Sequence, residues 1–319
     1  MSELALVADI GGTNARFALA SMSAQGIAID AAQSFRAEDY ETIRDAADAY
    51  LESVAEKPSR ACFAVASPVG AAEIKFTNSP WRFRPHEIEK ALSLREFRVI
   101  NDFYALAAGV SHLSDSAFVS VKDGAADPEA PKLVIGPGTG LGQALIVPTK
   151  EGEKVIATEG GHVTFAPRTD EEFQIMKFIA REHPRVSVER LLSGRGLVNI
   201  HRALCAAENT QRVSLQANEI TAAAINKTYP IAVKAVNMFC ELIGRVAGDA
   251  VLATGARGGV ILGGGILPKI KDVFLTSAFS ERFVDKGRMR DYVEATPVKL
   301  IVQDGSALFG AAASLSDGV

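Results

Sequence analysis

Leu6-Val7-Ala8-Asp9-Ile10-Gly11-Gly12-Thr13-Asn14-Ala15-Arg16-Phe17-Ala18-Leu19-Ala20 reads as an apolar strand ending in a carboxylate, a two-glycine turn with a hydroxyl, and a second strand. Free backbone N–H groups, a Thr hydroxyl and one acid at a single turn suit a phosphate–metal pair. The pattern returns at Val134-Ile135-Gly136-Pro137-Gly138-Thr139-Gly140-Leu141-Gly142-Gln143-Ala144-Leu145-Ile146-Val147. Aligning Thr13 with Thr139 sets Gly12 on Gly138 and Leu19 on Leu145. Asp9 then falls on Ile135, so only the first copy carries the acid. Two Gly-Thr hairpins with one metal-side carboxylate form a clamp suited to a nucleotide triphosphate.

The composition bounds this reading. A chain of 319 residues can bury a sizeable core, and by length it divides into about two domains. With 48% apolar and 23% charged residues it has the make-up of a globular protein rather than a disordered one. A net charge of −4 offers no positive field for nucleic acid or a membrane surface. An anionic ligand must therefore be held by local amides and a cation. Strand pattern beginning at Leu4 leaves no signal region, and no apolar run reaches the roughly 20 residues that span a bilayer. Cys62, Cys205 and Cys240 are widely spaced and form no CxxC pair, which predicts reduced thiols in a cytoplasmic protein.

Alternating or continuous β-rich pattern predicts strands over 4–10, 15–21, 26–35 and 61–66. Tyr40, Ile43, Ala47, Tyr50 and Val54 recur at helical spacing, predicting a helix over 39–56. A strand over 73–77 leads to a turn at Asn78-Ser79-Pro80-Trp81. Phe97–Ile100 reads as a strand that runs into Asn101-Asp102 and a helix over Phe103–Ala108. The segment 111–131 reads as a loop-rich boundary with Asp123-Gly124 and Asp127-Pro128 turns. Beyond the second hairpin, Asp170–Arg181 reads as a helix with Phe173, Met176 and Ala180 inward, and Ile231–Leu252 as a long helix after Pro230. Gly259–Leu262 reads as a buried strand meeting Gly263-Gly264-Gly265, with Pro268 opening the next helix. Val298–Val302 is a last strand, and Asp304 is placed to cap a helix through Ala313. The order is that of a duplicated α/β protein with a cleft between its halves.

No GxxxxGK[ST] and no GxGxxG occurs, which removes P-loop and Rossmann sites. Asn101-Asp102 at a strand–helix junction is either an N-cap or a general base at the carboxyl edge of a sheet. Glu159-Gly160-Gly161-His162 is a tight turn with an acceptor and a switchable donor, or a surface turn with an incidental ion pair. Ser187-Val188-Glu189-Arg190 reads as a one-turn helix with Ser187 as cap and Gly194 as stop, where Glu189 can simply complement the dipole. Gly263–Gly265 is a packing feature or a bed for a flat ring, and Asp170-Glu171-Glu172 a solvated helix start.

Together, Asp9-Ile-Gly-Gly-Thr-Asn14, Ile100-Asn-Asp-Phe103, Gly136-Pro-Gly-Thr-Gly-Leu-Gly142, Glu159-Gly-Gly-His162, Glu189-Arg-x-x-Ser-Gly194 and Gly263-Gly-Gly265 resemble the bacterial glucokinases, motif for motif and in order, from about Leu4 to Ala313. That family lies in the hexokinase branch of the actin-like ATPase (ribonuclease H-like) fold. The resemblance implies two α/β domains around a deep cleft: a small one over 1–110, completed by a helix in 300–319, and a large one over 111–299. It implies ATP-dependent phosphorylation of D-glucose at the 6-hydroxyl, giving glucose 6-phosphate and ADP. Asn101 and Asp102 match the sugar-contacting pair, with Asp102 as the base. Glu159, His162 and Glu189 match residues holding hydroxyls towards the reducing end. Asp9, Gly11, Gly12 and Thr13, and Gly138 with Thr139, match the two phosphate loops, Asp9 facing Mg²⁺ through water. Gly263, Gly264 and Gly265 fall where the adenosine lies. A cytoplasmic homodimer with no nucleic-acid or membrane partner is implied as well.

Neither Glu159 nor Glu189 lies in a phosphate hairpin, so changes there are expected to spare ATP binding. Two departures from the family pattern stand out: Arg195 in Ser193-Gly-Arg195-Gly196, where many members have proline, and Gly305-Ser-Ala-Leu308, where a Pro-Gly-Leu segment is usual. The rivals are a kinase for fructose, mannose or an N-acetylhexosamine, and a catalytically inactive sugar sensor on the same fold. Three scattered cysteines argue against the cysteine-rich zinc loop of the repressor/kinase relatives.

Overall fold

A computed structural model describes residues 3–67, 69–76, 81–210 and 214–316. Contacts divide the chain into two compact units, one of residues 1–117, 155–157 and 303–319, the other of 118–154 and 158–302.

The first unit contains β1 (Glu3–Ile10), β2 (Asn14–Ser23), β3 (Gly26–Arg36), α1 (Ile43–Ser53), β4 (Arg60–Val65), a ribbon of β5 (Ile74–Lys75) and β6 (Arg82–Phe83), α2 (Pro85–Ala91), β7 (Glu96–Asn101) and α3 (Asp102–Gly109). Its five-stranded sheet has the order β3-β2-β1-β4-β7. β1, β4 and β7 are parallel, and their register sets Ile10, Val65 and Asn101 side by side at the carboxyl edge. One face of β1 (Leu6, Ala8, Ile10) packs with Phe17, Tyr50 and Phe63, and the Phe17 ring lies 5.7 Å from that of Tyr50 and 5.8 Å from that of Phe63. Such ring pairs add about 0.5–1.5 kcal/mol each beyond burial, which anchors the first hairpin. The other face (Ala5, Val7) packs on the last helix, α11 (Ser306–Ser316). α11 also crosses α3 at small residues, Ala105 and Gly109 against Ser306 and Gly310.

In the second unit come β8 (Phe118–Lys122), β9 (Lys132–Pro137), β10 (Leu141–Thr149), β11 (Gly152–Thr158, of which 155–157 count with the first unit), α4 (Asp170–Ala180), α5 (Gly194–Ala207), α6 (Ala217–Ile225), α7 (Pro230–Thr254), β12 (Gly259–Leu262), α8 (Lys271–Leu275), α9 (Phe279–Val284), α10 (Arg290–Glu294) and β13 (Val298–Ile301). The sheet order is β11-β10-β9-β12-β13-β8, with β9, β12 and β13 parallel. The long helix α7 buries Ala235, Val236, Phe239, Ile243 and Ala247 in the core beneath it. All three cysteines are free and buried, and burial pushes the Cys62 and Cys240 thiols up to about 12.

Several expectations change. The helix placed over 39–56 starts at Ile43, because Thr42 and Asp45 form a reciprocal capping box there (Asp45 N–H to Thr42 Oγ1, 3.2 Å). The segment 111–131 is not all loop: β8 lies in it and pairs antiparallel with β13. On α4 Ile175 and Ile179 are the fully buried residues and Met176 and Ala180 pack on the core beside them, whereas Phe173 is exposed, with the Lys177 ammonium 4.6 Å from its ring centre. Gly194 does not stop a helix but begins α5, whose cap is Ser193 (Gly196 N–H to Ser193 Oγ, 3.0 Å). The residue just before α11 is Gly305, at a left-handed φ of 74°, so Asp304 does not cap it. The turn expected at Asn78–Trp81 lies outside the described residues at 78–80.

Candidate active site

Each unit gathers its candidate residues at the carboxyl edge of its parallel strands, where α/β folds place ligands. In the first unit β1 ends at Asp9-Ile10, and the Gly11–Thr13 turn follows, closed by a bond from Gly11 N–H to Asn14 O (2.9 Å). Thr13 stands exposed at the tip. Asp9 pairs across the strands with Arg16. Burial raises the Asp9 carboxyl above its ordinary value, and the Arg16 charge works against that rise. Arg16 is itself held by Ser34 Oγ, which accepts from its Nε at 3.1 Å.

Two strands away along the same edge, at about 4.8 Å per strand, β7 delivers Asn101 and Asp102. Asn101 is the cap of α3: its Oδ1 accepts from the Phe103 and Tyr104 N–H groups at 3.0 and 3.1 Å. Asp102 is the first helical residue, half-buried, with Oδ1 accepting from Phe103 N–H at 2.9 Å. The capping work falls on Asn101, which leaves Asp102 beside it as a carboxylate in the first turn of the helix.

In the second unit, β9 leads into Gly138–Gly140, closed by Gly138 N–H to Gly140 O (2.8 Å), with Thr139 exposed. The two hairpins differ in register. Ile10 pairs with Ala15, whereas Pro137 pairs with Leu141. The first turn is therefore one residue longer, and the structural counterpart of Asp9 is Gly136, not Ile135. The counterpart of its partner Arg16 is Gly142, which pairs with Gly136. Where the first hairpin has a carboxylate, the second receives the glycine run. Gly263 N–H donates to Ile135 O (2.9 Å), and a Cβ on Gly136 would overlap the Gly263 carbonyl. Gly264, at φ 79°, lies against the Pro137 carbonyl just as closely.

The turn Glu159–His162 sits on β10, and His162 N–H donates to Glu159 O (2.9 Å). The Thr164–Ser187 bridge and a bond from Val188 N–H to Val163 O (2.9 Å) bring Glu189 to it. His162 Nε2 lies 3.7 Å from Glu159 Oε2, and its Nδ1 4.0 Å from Glu189 Oε1. These three residues form one cluster of acceptors around an imidazole. Sequence reasoning missed that Leu141 N–H donates to Glu189 Oε2 (2.9 Å), which ties Glu189 to the second hairpin. A separate cavity of about 670 Å³ is lined by Arg168, Glu172, Lys234, Glu241, Arg245 and Arg282. It contains none of the candidate residues, and its charges are paired, as in Lys234–Glu171 (2.7 Å), Arg282–Glu241 (2.9 Å) and Arg168–Asp285 (2.5 Å).

Strand–turn–strand hairpins recur at a parallel-sheet edge in both units, beside an acid-bearing junction in the first and a glycine run in the second, which is the arrangement that the resemblance to the sugar kinases of the actin-like ATPase fold implies. The comparisons narrow the class. A family model described as Glucokinase matches residues 6–318. A glucokinase of Marinobacter nauticus is 44% identical over 313 residues, covering 98% of this chain and 97% of that protein. The crystal structure of a glucokinase from an Antarctic psychrotroph superposes with a TM-score of 0.85 at 39% identity, over 99% of both chains. A Balamuthia mandrillaris glucokinase solved in complex with glucose shares the fold (TM-score 0.83, 22% identity, 99% of this chain and 94% of that one). The chain belongs to the glucokinase family.

Proposed function

We propose that Asp102 is the general base of an ATP-dependent glucose 6-phosphotransferase, and that Asp9 with the two Gly-Thr hairpins holds the Mg²⁺–ATP. The observation that carries this reading is the register Ile10–Val65–Asn101, which supports placing the metal-side acid and the base on one sheet edge. As the sugar 6-oxygen attacks the γ-phosphorus, the bond to ADP breaks and the hydroxyl proton passes to Asp102. Asn101 orients the sugar beside it. Glu159, His162 and Glu189 take hydroxyls at the other end of the ring, and Gly263–Gly265 form the bed for the adenosine. The amides of Gly11–Thr13 and Gly138–Thr139 are suited to the phosphate oxygens.

Asp9 fits Mg²⁺. That ion keeps several waters and binds through one or two carboxylates plus substrate phosphates. Among the described residues no cluster of three or more His, Cys, Asp or Glu offers an all-protein cage. A carboxylate whose charge is disfavoured by burial gains from a cation beside it. When bound, Mg²⁺ would neutralise charge on the phosphates. Buried free thiols support a reducing, cytoplasmic setting, and no described helix is long and apolar enough to cross a membrane. A homodimer belongs to the same reading, and sedimentation of the purified chain checks it.

The test is Asp102→Asn in a coupled assay across a panel of hexoses. The amide keeps size and hydrogen bonding but cannot take the proton, so kcat falls by ~10²–10⁴ while glucose affinity changes little. Near-normal turnover would reduce Asp102 to a helix-start residue. With the wild-type chain, each misplaced hydroxyl costs about 0.5–1.5 kcal/mol, the net worth of one hydrogen bond at a site where Glu159 and His162 are exposed. A kcat/KM for fructose or N-acetylmannosamine equal to that for glucose would exclude the assigned sugar contacts.

A further inference from the structure

Glu189 is counted above among the sugar contacts, yet one of its two oxygens is already engaged elsewhere. Oε2 accepts from the main-chain N–H of Leu141, the first residue after the Gly138–Gly140 turn. Oε1 is the oxygen that faces His162. The same segment makes a second tie five residues on, where Gly194 N–H donates to Gly138 O (2.9 Å). Between the two ties, Ser193 Oγ donates to Glu189 O at 2.8 Å and caps α5, so the stretch from Glu189 to Gly194 is stitched to itself. The fit against the turn is close: a Cβ on Gly140 would overlap Glu189 Oε2.

We propose that Glu189 is a positioning residue that couples the sugar cluster to the second phosphate hairpin, so that sugar and nucleotide each strengthen the other's binding. This rests on the placement of glucose at Glu159, His162 and Glu189 and of ATP phosphates at Gly138–Thr139. A carboxylate is planar, so a sugar hydroxyl bonded to Oε1 fixes the direction in which Oε2 meets the Leu141 N–H. The ordering of the turn is then met by whichever ligand binds first, and the second ligand gains by it. Coupling of this kind is reciprocal, and typically ~5–150-fold. The expectation that changing Glu189 spares ATP binding is accordingly replaced by one in which it does not.

The experiment measures glucose binding and binding of a non-hydrolysable ATP analogue, each with and without the other, for the wild type, Glu189→Asp, Glu189→Gln and Gly140→Ala. Gln keeps the reach and one acceptor oxygen for Leu141. Asp keeps the charge but is one methylene too short to serve both sides. The coupling factor should therefore stay close to wild type in Glu189→Gln and fall at least ~5-fold in Glu189→Asp and in Gly140→Ala. A site acting through charge alone would give the reverse order for Asp and Gln, and that order overturns the proposal. Wild-type coupling in Glu189→Asp together with weakened glucose binding would overturn the coupling and leave the sugar contact standing. Unchanged glucose affinity in Glu189→Asp would remove the sugar placement, and the coupling with it. Should Gly140→Ala fail to fold, the Asp and Gln pair decides alone.

Discussion

The two Gly-Thr hairpins share a pattern of strand, turn and strand but have been put to different uses. In the first, the position one residue before the strand end is Asp9, with Arg16 across from it. In the second, the same two positions are Gly136 and Gly142, and the Gly263–Gly264 backbone fills the space a side chain would need. One hairpin thus carries a carboxylate just before its strand end, and the other accepts a neighbouring main chain so closely that a side chain at Gly136 would overlap it. A repeated backbone motif can serve two sites, but the residue next to the strand end sets whether the turn carries a charge or receives a neighbouring main chain.

The largest effect that would break this contrast is in the acid. Asp9→Asn should lower kcat by ~10²–10³, the range for loss of one preorganised electrostatic contact, with glucose binding in the absence of nucleotide nearly intact. The same change should raise the melting temperature at pH 7. Burial raises the Asp9 pKa, so only between its ordinary value and the raised one does the folded chain hold a proton that the unfolded chain has released. The resulting cost is absent below the ordinary value of 3.8 and grows as pH rises from there to the folded pKa. It then stays constant, so the stability gained by Asp9→Asn should vanish in melts run at about pH 3–4.

Gly136→Ala should act in the opposite sense. The added methyl meets the Gly263 carbonyl, so stability should fall by about 1–3 kcal/mol. The KM for ATP should rise through displacement of the glycine run, with kcat less affected. A kcat loss matching that of Asp9→Asn, without loss of stability, would erase the distinction between the hairpins. The smallest effect belongs to Arg16→Gln. Its charge favours the ionised form of Asp9, so the acid limb of the pH–rate profile should move to higher pH. Activity on that limb should fall about 5-fold, the scale of a charge pair near 1 kcal/mol.

Much of this contrast was legible before the fold. The hairpin strands alternate or run apolar, their glycines mark the turns, and Asn101-Asp102 follows a short β-rich run, so their places could be read locally. The register was not, because one extra residue in the first turn moves Asp9 from Ile135 to Gly136 without changing the motif that the eye aligns. Helix α5 escaped because Gly194 read as the stop of a one-turn helix, although Leu197, Ile200 and Leu204 carry the spacing of a buried helical face. Strand β8 is short, and its partner β13 comes much later in the chain, so no local pattern announces the pairing. The bond between Glu189 and Leu141 could not be read at all, since its donor is a main-chain N–H that any residue would supply.

The central claim, that the acid of the first hairpin alone serves the metal, is tested most directly by titrating Mg²⁺ into an ATP analogue bound to three chains: wild type, Asp9→Asn and Gly136→Ala. The account predicts that Mg²⁺ tightens the analogue on the wild type and on Gly136→Ala, and that this tightening is largely lost in Asp9→Asn. A wild-type response to Mg²⁺ in Asp9→Asn, or its loss in Gly136→Ala alone, would contradict it.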